Sequence, residues 1–291
     1  MDMTLLAHWP FDDGHNNYPT TARDAAAGGS GSHEGTYTLS GTDYNWYGRL
    51  TPGGVGGRVV VNQAGSANGT VTAIQNPADL RLLGALTVMA WLHADDYYYW
   101  YEPTKVVNVT GIDETEAEND LWALEVAGVG RAVRLRWERS TGVDVAALST
   151  TGLMWLQGWT HVAVERYEVV AGKWGCRFYR DGQLFSTDDN GGAGYDPPTG
   201  GGNSLPYIGR DGAGQTTRQF VYDSIRVYDT AIGQASIQAV YDAEKANFDD
   251  RPTKDDWAPS GPLSRTEGAG RLYQVIESGP NSTRQNAGWH K

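Results

Sequence analysis

Apolar and polar residues alternate with period two along much of this chain, the signature of strands with one buried side. In Phe220–Tyr228, Val221, Asp223, Ile225 and Val227 fall on one side, and Tyr222, Ser224, Arg226 and Tyr228 on the other. In Ala85–His93, Leu86, Val88, Ala90 and Leu92 oppose Thr87, Met89, Trp91 and His93. Both sides of that strand are largely apolar, so a central position in a sheet is expected. Asp120–Val126 is a mostly apolar run of strand length. Ala132–Trp137 alternates with Val133, Leu135 and Trp137 on one side. Trp159–Tyr167 leads through Ala171-Gly172-Lys173 into Trp174–Arg180, which turns at Asp181-Gly182 into Gln183–Ser186. Asp-Gly between two strand patterns predicts a type I′ hairpin, because both central residues need positive φ. Arg58–Val61 and Leu205–Arg210 are shorter strand candidates, and Gly-, Asp-, Asn- and Pro-rich stretches such as 26–35 and 187–204 read as loops.

A helical pattern appears only after residue 230, with Ile232, Ile237, Val240 and Tyr241 as its apolar positions. The expected fold is therefore all-β: a two-sheet antiparallel β-sandwich with a short helix near 231–246. Composition changes after Asn247. Residues 248–291 hold one compact apolar run, Leu272–Ile276, among Asp, Pro, Gly and Ser, and cannot build a core of their own. The expected organisation is a sandwich over 1–247 and an extended C-terminal tail over 248–291.

The 38 glycines, 11 tryptophans and 16 tyrosines agree with aromatic strands joined by glycine turns. A net charge of −12 argues against nucleic acid, which needs a basic patch, and against an anionic membrane surface. No apolar run is long enough to cross a bilayer. The single cysteine, Cys176, sits in a strand pattern and reads as a small buried side chain. The N-terminus lacks the basic segment of a signal peptide, so no export signal is expected.

Four pieces carry a resemblance: HWPFDDG near the start, ALTVMAWLH, the hairpin GWTHVAVERY to CRFYRDGQLFST, and the ending PYIGRDG to FVYDSIRVYDTAI. In order and spacing they resemble a laminin G-like, or concanavalin A-like, jelly-roll domain over roughly residues 4–245. The resemblance implies that the first and last strands pair side by side. It implies domains that bind glycans, proteins or lipids, often near calcium, with glycoside hydrolases among the relatives.

The resemblance also implies a calcium site where the end strands meet, with Asp12 (or Asp13), Asp24 and Asp223 as its carboxylates. The other reading of Asp12 and Asp24 is turn capping, and of Asp223 an inward carboxylate paired with an arginine. Tyr97, Tyr98, Trp100 and Tyr101 lie in an aromatic run after Asp95-Asp96, with Trp46-Tyr47 as a second pair. Such rings suit stacking on sugars, or packing on the tail or a neighbouring subunit. The nearest match to the carboxylate strand of laminarinase-type relatives is Asp113–Glu118. It lacks the central Asp and apolar spacers, and reads as a solvated acidic loop. No catalytic residue is expected.

An extracellular-type fold with no export signal and a polar tail leads to the functional expectation. It is a non-enzymatic structural or adhesive protein of a viral particle, most plausibly a bacteriophage virion, as a capsid decoration or tail-associated protein. The tail would contact other virion proteins, the protein would be multi-copy, and glycans are candidate ligands. The alternative is a free carbohydrate-binding module, and after it a glycoside hydrolase.

Overall fold

The computed structural model describes residues 4–10, 21–26, 33–38, 46–48, 58–61, 70–72, 74, 78–93, 104–110, 120–127, 131–138, 144–154, 159–199, 206–209 and 221–249. The described strands are β1 (Leu5–Trp9), β2 (Thr21–Ala22), β3 (Gly35–Thr38), β4 (Trp46–Gly48), β5 (Arg58–Val61), β6 (Thr70–Thr72), β7 (Leu86–His93) and β8 (Thr104–Thr110). They continue with β9 (Asp120–Ala127), β10 (Ala132–Glu138), β11 (Asp144–Leu148), β12 (Trp159–Val170), β13 (Lys173–Arg180), β14 (Gln183–Asp188), β15 (Pro206–Ile208) and β16 (Val221–Tyr228). Two helices follow, α1 (Gly233–Glu244) and α2 (Ala246–Asp249).

The strands form two antiparallel sheets. The first runs β14-β13-β12-β7-β16-β5-β4, with β1 also pairing β16, and the second runs β11-β10-β9-β8-β15-β6-β3-β2. The expected pairing of the end strands is present: His8 opposes Arg226 and Trp9 opposes Ile225. β7 is central, between β12 and β16. Ala7, Trp9, Leu86, Val88, Leu92, Trp122, Leu124, Leu135, Trp137, Val164 and Ile225 are among the residues that fill the space between the sheets. Cys176 is buried there as expected, and burial pushes its thiol well above the usual range.

The β13–β14 turn has φ of 50° at Asp181 and 80° at Gly182, the I′ geometry predicted from Asp-Gly. A Cβ at Gly182 would come within 2.6 Å only of the flexible end of the Gln238 side chain on α1, so glycine is needed there for conformation. The edge strands β11 and β14 approach each other. The Leu148 N–H donates to Asp188 Oδ2 (2.9 Å) and the Thr150 N–H to Ser186 Oγ (3.2 Å), so side chains of one edge cap backbone donors at the other.

Three expectations change. The alternation in β16 is broken by a bulge between Asp223 and Arg226, with Ser224 at φ 50°. The extra residue turns the strand over. Tyr222 therefore joins Ile225 and Val227 in the core, and Asp223 opposes Trp91 on the other side. Residues 189–199 are not simply a surface loop: Tyr195 pairs with Trp174 through two backbone hydrogen bonds, and the Asp196 carbonyl accepts from Trp137 Nε1 at 2.9 Å. Finally, Phe248, expected to open the tail, is buried. It stacks on Trp91 at 3.8 Å between ring centroids and packs edge-on against Trp159. Packing of the sandwich thus reaches at least to α2; residues 250–291 lie outside the described set.

Candidate binding face

Each sheet has a side turned away from the core, and the two sides are finished differently. On the first sheet, α1 closes over Met89, Ala163, Tyr179 and Tyr228 through Ile237, with Leu5, Ile232 and Val240 around them. Polar groups under the helices are also tied down. Glu244 on α1 accepts from Trp91 Nε1 (2.8 Å) and pairs with Arg226.

Neither described helix contacts the second sheet to a comparable extent. Its outer side carries polar residues in two cross-strand rows. In one row Tyr207 opposes Asn108, Asn108 opposes Ala123, Ala123 opposes Arg136, and Arg136 opposes Ala146. In the other Lys105 opposes Glu125, and Glu125 opposes Arg134. Lys105, Asn108, Glu125 and Arg136 are buried despite their polarity, as is Tyr207. Glu125 is held by Arg134, and by Arg136 Nη2 at 3.4 Å. Guanidinium forks, amides and aromatic rings are the side-chain types that recognise sugars.

This face also bears on hydrolysis. The strand register places three carboxylate residues on this side, Glu125, Glu138 and Asp144, the last two directly opposite each other. Glu138 is four positions along β10 from Arg134, the partner of Glu125. That spacing is about 13 Å of strand. Glycosidase carboxylates stand ~5–5.5 Å apart in retaining enzymes and ~6.5–9.5 Å apart in inverting ones.

The sites expected from sequence fall as follows. Tyr97, Tyr98, Trp100 and Tyr101 lie outside the described residues, in the connection that carries the chain from β7 in one sheet to β8 in the other. Asp113–Glu118 and Asp12 are also outside them. Asp223 is buried beside Trp91. Asp24 is engaged locally. Its Oδ1 accepts from the backbone N–H groups of His8 and Ala26, each at 2.9 Å. Its Oδ2 accepts from the His33 backbone N–H (3.3 Å) and lies 3.0 Å from His33 Nδ1. The other nitrogen, Nε2, lies 2.7 Å from Asp79 Oδ1.

Burial works against charge on His33, but its hydrogen bonds to Asp24 and Asp79 outweigh it and raise the pKa. Burial likewise opposes charge on Asp24, and the bonds from His33 and the backbone lower its pKa all the same. The His33 imidazole thus bridges two carboxylates. Asp24 fits turn capping rather than calcium, and among the described residues no group of three or more His, Cys, Asp or Glu side chains is arranged to hold a metal. His33 and Asp79 carry no sequence signal for this role, because they lie 9 and 55 positions from Asp24.

Similarity to known proteins agrees with this fold. No curated protein sequence matches the chain. Among solved structures, the botulinum neurotoxin serotype G binding domain superposes with a TM-score of 0.55 at 11% identity, covering 83% of this chain and 51% of that one. The binding domain of Paraclostridial Mosquitocidal Protein 1 gives 0.55 at 12% identity, covering 82% and 52%. The botulinum neurotoxin serotype D ligand binding domain, solved in complex with N-acetylneuraminic acid, gives 0.52 at 11%, covering 83% and 51%. The chain spans about half the length of these proteins, and at such identities the likeness is one of fold. A family model described as the concanavalin A-like lectin/glucanases superfamily, of laminin G type, matches residues 65–238. Since that match covers more than half of the 291 residues, the chain belongs to the concanavalin A-like lectin/glucanase superfamily.

Proposed function

We propose that this protein is a non-enzymatic, lectin-like binding protein that serves as a structural or adhesive component of a multi-copy assembly, a virion in the first instance. The observation that carries the reading is membership of the concanavalin A-like lectin/glucanase superfamily. The polar row of the second sheet, with Tyr207, Asn108 and Arg136, is the first place to test for a glycan contact. Residues 250–291 supply the contact with neighbouring chains. Weak sites repeated over many copies would gain avidity by ~10²–10⁴.

A glycan array with monomeric and multimerised protein tests this. Because one structural relative was solved with N-acetylneuraminic acid, sialylated glycans come first. Binding by the multimer is expected, with no release of reducing sugar. Arg136→Ala is expected to weaken it about 10-fold or more, the scale of a lost charge-assisted hydrogen bond. If Arg136→Ala binds normally and Tyr98→Ala/Trp100→Ala does not, the site is the β7–β8 connection instead. Sugar release would overturn the non-enzymatic reading.

Calcium enters only as a further proposal, with Asp12 and Asp223 as its remaining carboxylates. Coincident melting curves in chelator and in saturating calcium would remove it, because an ion bound only to the native state must raise stability.

A further inference from the structure

The connection from β11 in the second sheet to β12 in the first turns at Thr151-Gly152. It is anchored on its far side, where Leu153 and Met154 are buried in the core. Thr151 is exposed, and Gly152 is half-buried. Gly152 has φ of 82°, in the left-handed region that favours glycine. Among the described residues nothing accepts the N–H groups of Thr151, Gly152 or Leu153. Successive N–H groups at a turn of this kind form a concavity that suits an anion.

Two arginines, one from each sheet, close on this turn. Arg131 stands just before β10, itself at φ 57°. Its Nη1 donates to the Met154 carbonyl, and its own carbonyl accepts the Met154 N–H, each at 3.2 Å. Its Nη2 lies 3.9 Å from where a Gly152 Cβ would stand, and apart from chain neighbours no other atom comes within 4 Å of that point. Arg180, at the end of β13, donates from Nη1 to the Gly152 carbonyl at 3.1 Å. Its guanidinium lies 4.6 Å from the Phe185 ring centroid, a contact that helps hold it over the turn.

A guanidinium carries several N–H donors, and Arg131 uses one of them on the turn. Among the described residues no carboxylate forms an ion pair with Arg131. The described carboxylates of the β13–β14 hairpin have partners of their own. Asp181 accepts the His161 N–H at 3.0 Å, and Asp188 accepts the Leu148 N–H and the Tyr195 hydroxyl. Two guanidinium charges held at one glycine repel each other, and an anion bound between them would relieve the repulsion.

We propose that Arg131, Arg180 and the Thr151–Leu153 turn form an oxyanion site that takes the carboxylate of an acidic saccharide. The saccharide rests on the lectin-like reading of the protein; the anion rests on the turn and its two arginines. A guanidinium fork matches a carboxylate in plane and spacing, and its bonds to an oxyanion are charge-assisted. The backbone N–H groups add donors with no side chain to order. Neither arginine belongs to the polar rows of the second sheet, so this site is additional to them.

Amide NMR titration of the isotope-labelled full chain with sialyllactose and with lactose, at constant ionic strength, tests this. The two sugars share a neutral part and differ by the residue that carries the carboxylate. Sialyllactose is expected to shift the amides of Thr151, Gly152 and Leu153, and lactose to leave them in place. Arg131→Ala is expected to weaken sialyllactose about 10-fold or more, the scale of a lost charge-assisted hydrogen bond. Arg131→Gln removes the charge but keeps an N–H for the Met154 carbonyl. It is expected to weaken binding to a similar degree, which separates lost recognition from a collapsed turn. Equal response to the two sugars, sialyllactose shifts confined to other residues, or unchanged affinity in Arg131→Gln would overturn the oxyanion site and leave the lectin-like reading standing. Failure of both sugars to bind anywhere on the protein would count against that reading, and would overturn the acidic ligand with it.

Discussion

Arg166→Ala is expected to destabilise the protein by about 3–5 kcal/mol, among the largest single effects in this fold. Arg166, on β12, is completely buried between the sheets, opposite Leu86 and Cys176. Among the described residues no carboxylate pairs with it. Its charge is held by dipoles and rings instead. Nε donates to the Gly84 carbonyl (2.8 Å) and Nη2 to the Leu82 carbonyl (2.6 Å). The guanidinium carbon lies 5.4 Å from the Trp137 ring centroid, on the opposite sheet, and 5.9 Å from that of Trp174. Burial lowers its pKa to about 10, which leaves it charged at neutral pH. Alanine would open a cavity and strand two carbonyls at once. Lysine keeps the charge but cannot serve two carbonyls and two rings from one ammonium, so Arg166→Lys is expected to cost about 2–3 kcal/mol. Denaturant midpoints at constant m-value measure both. An Arg166→Met variant as stable as the parent would show that the carbonyls find other donors.

Glu165→Ala is expected to cost about 2–4 kcal/mol and to loosen the start of α1. The helix has no side-chain cap of its own, since Ile232 stands at the N-cap. Glu165, fully buried on β12, receives the Gly233 N–H, and the Tyr179 hydroxyl donates to it at 2.5 Å. Thr87 Oγ1 accepts the Ile232 N–H at 3.2 Å and donates to the Thr230 carbonyl at 2.7 Å. Burial first, then the bond to Glu165, raises the Tyr179 pKa above its ordinary value. In a double-mutant cycle, Glu165→Ala and Tyr179→Phe are expected to couple by about 0.5–3 kcal/mol. Strict additivity would mean that the carboxylate acts on the helix alone.

Local pattern was enough for what local geometry controls. The alternation in Ala85–His93 and Ala132–Trp137 and the Asp181-Gly182 turn are visible in the sequence, because side-chain period and positive φ are properties of neighbouring residues; the pairing of the end strands followed from the family resemblance. β8 and β11 were not legible. In β8 Lys105 and Asn108 interrupt the apolar run, and in β11 two of the five residues are alanine. Both depend on flanking strands for their burial. The polar face of the second sheet was hidden for the same reason, since its longer row joins residues from five strands.

The sequence by itself determined an all-β sandwich with a terminal helix, because burial of one side of a strand is written at every second residue. Tertiary structure alone decided where the polar groups found partners. Ser224 breaks the register of a strand whose letters read as unbroken. Asp24 takes His33 and three backbone N–H groups as its partners. α1 is capped by Glu165 and Thr87, 68 and 145 residues from the groups they receive. A hydrogen bond needs atoms about 3 Å apart in space and is indifferent to separation along the chain, so no periodicity records it.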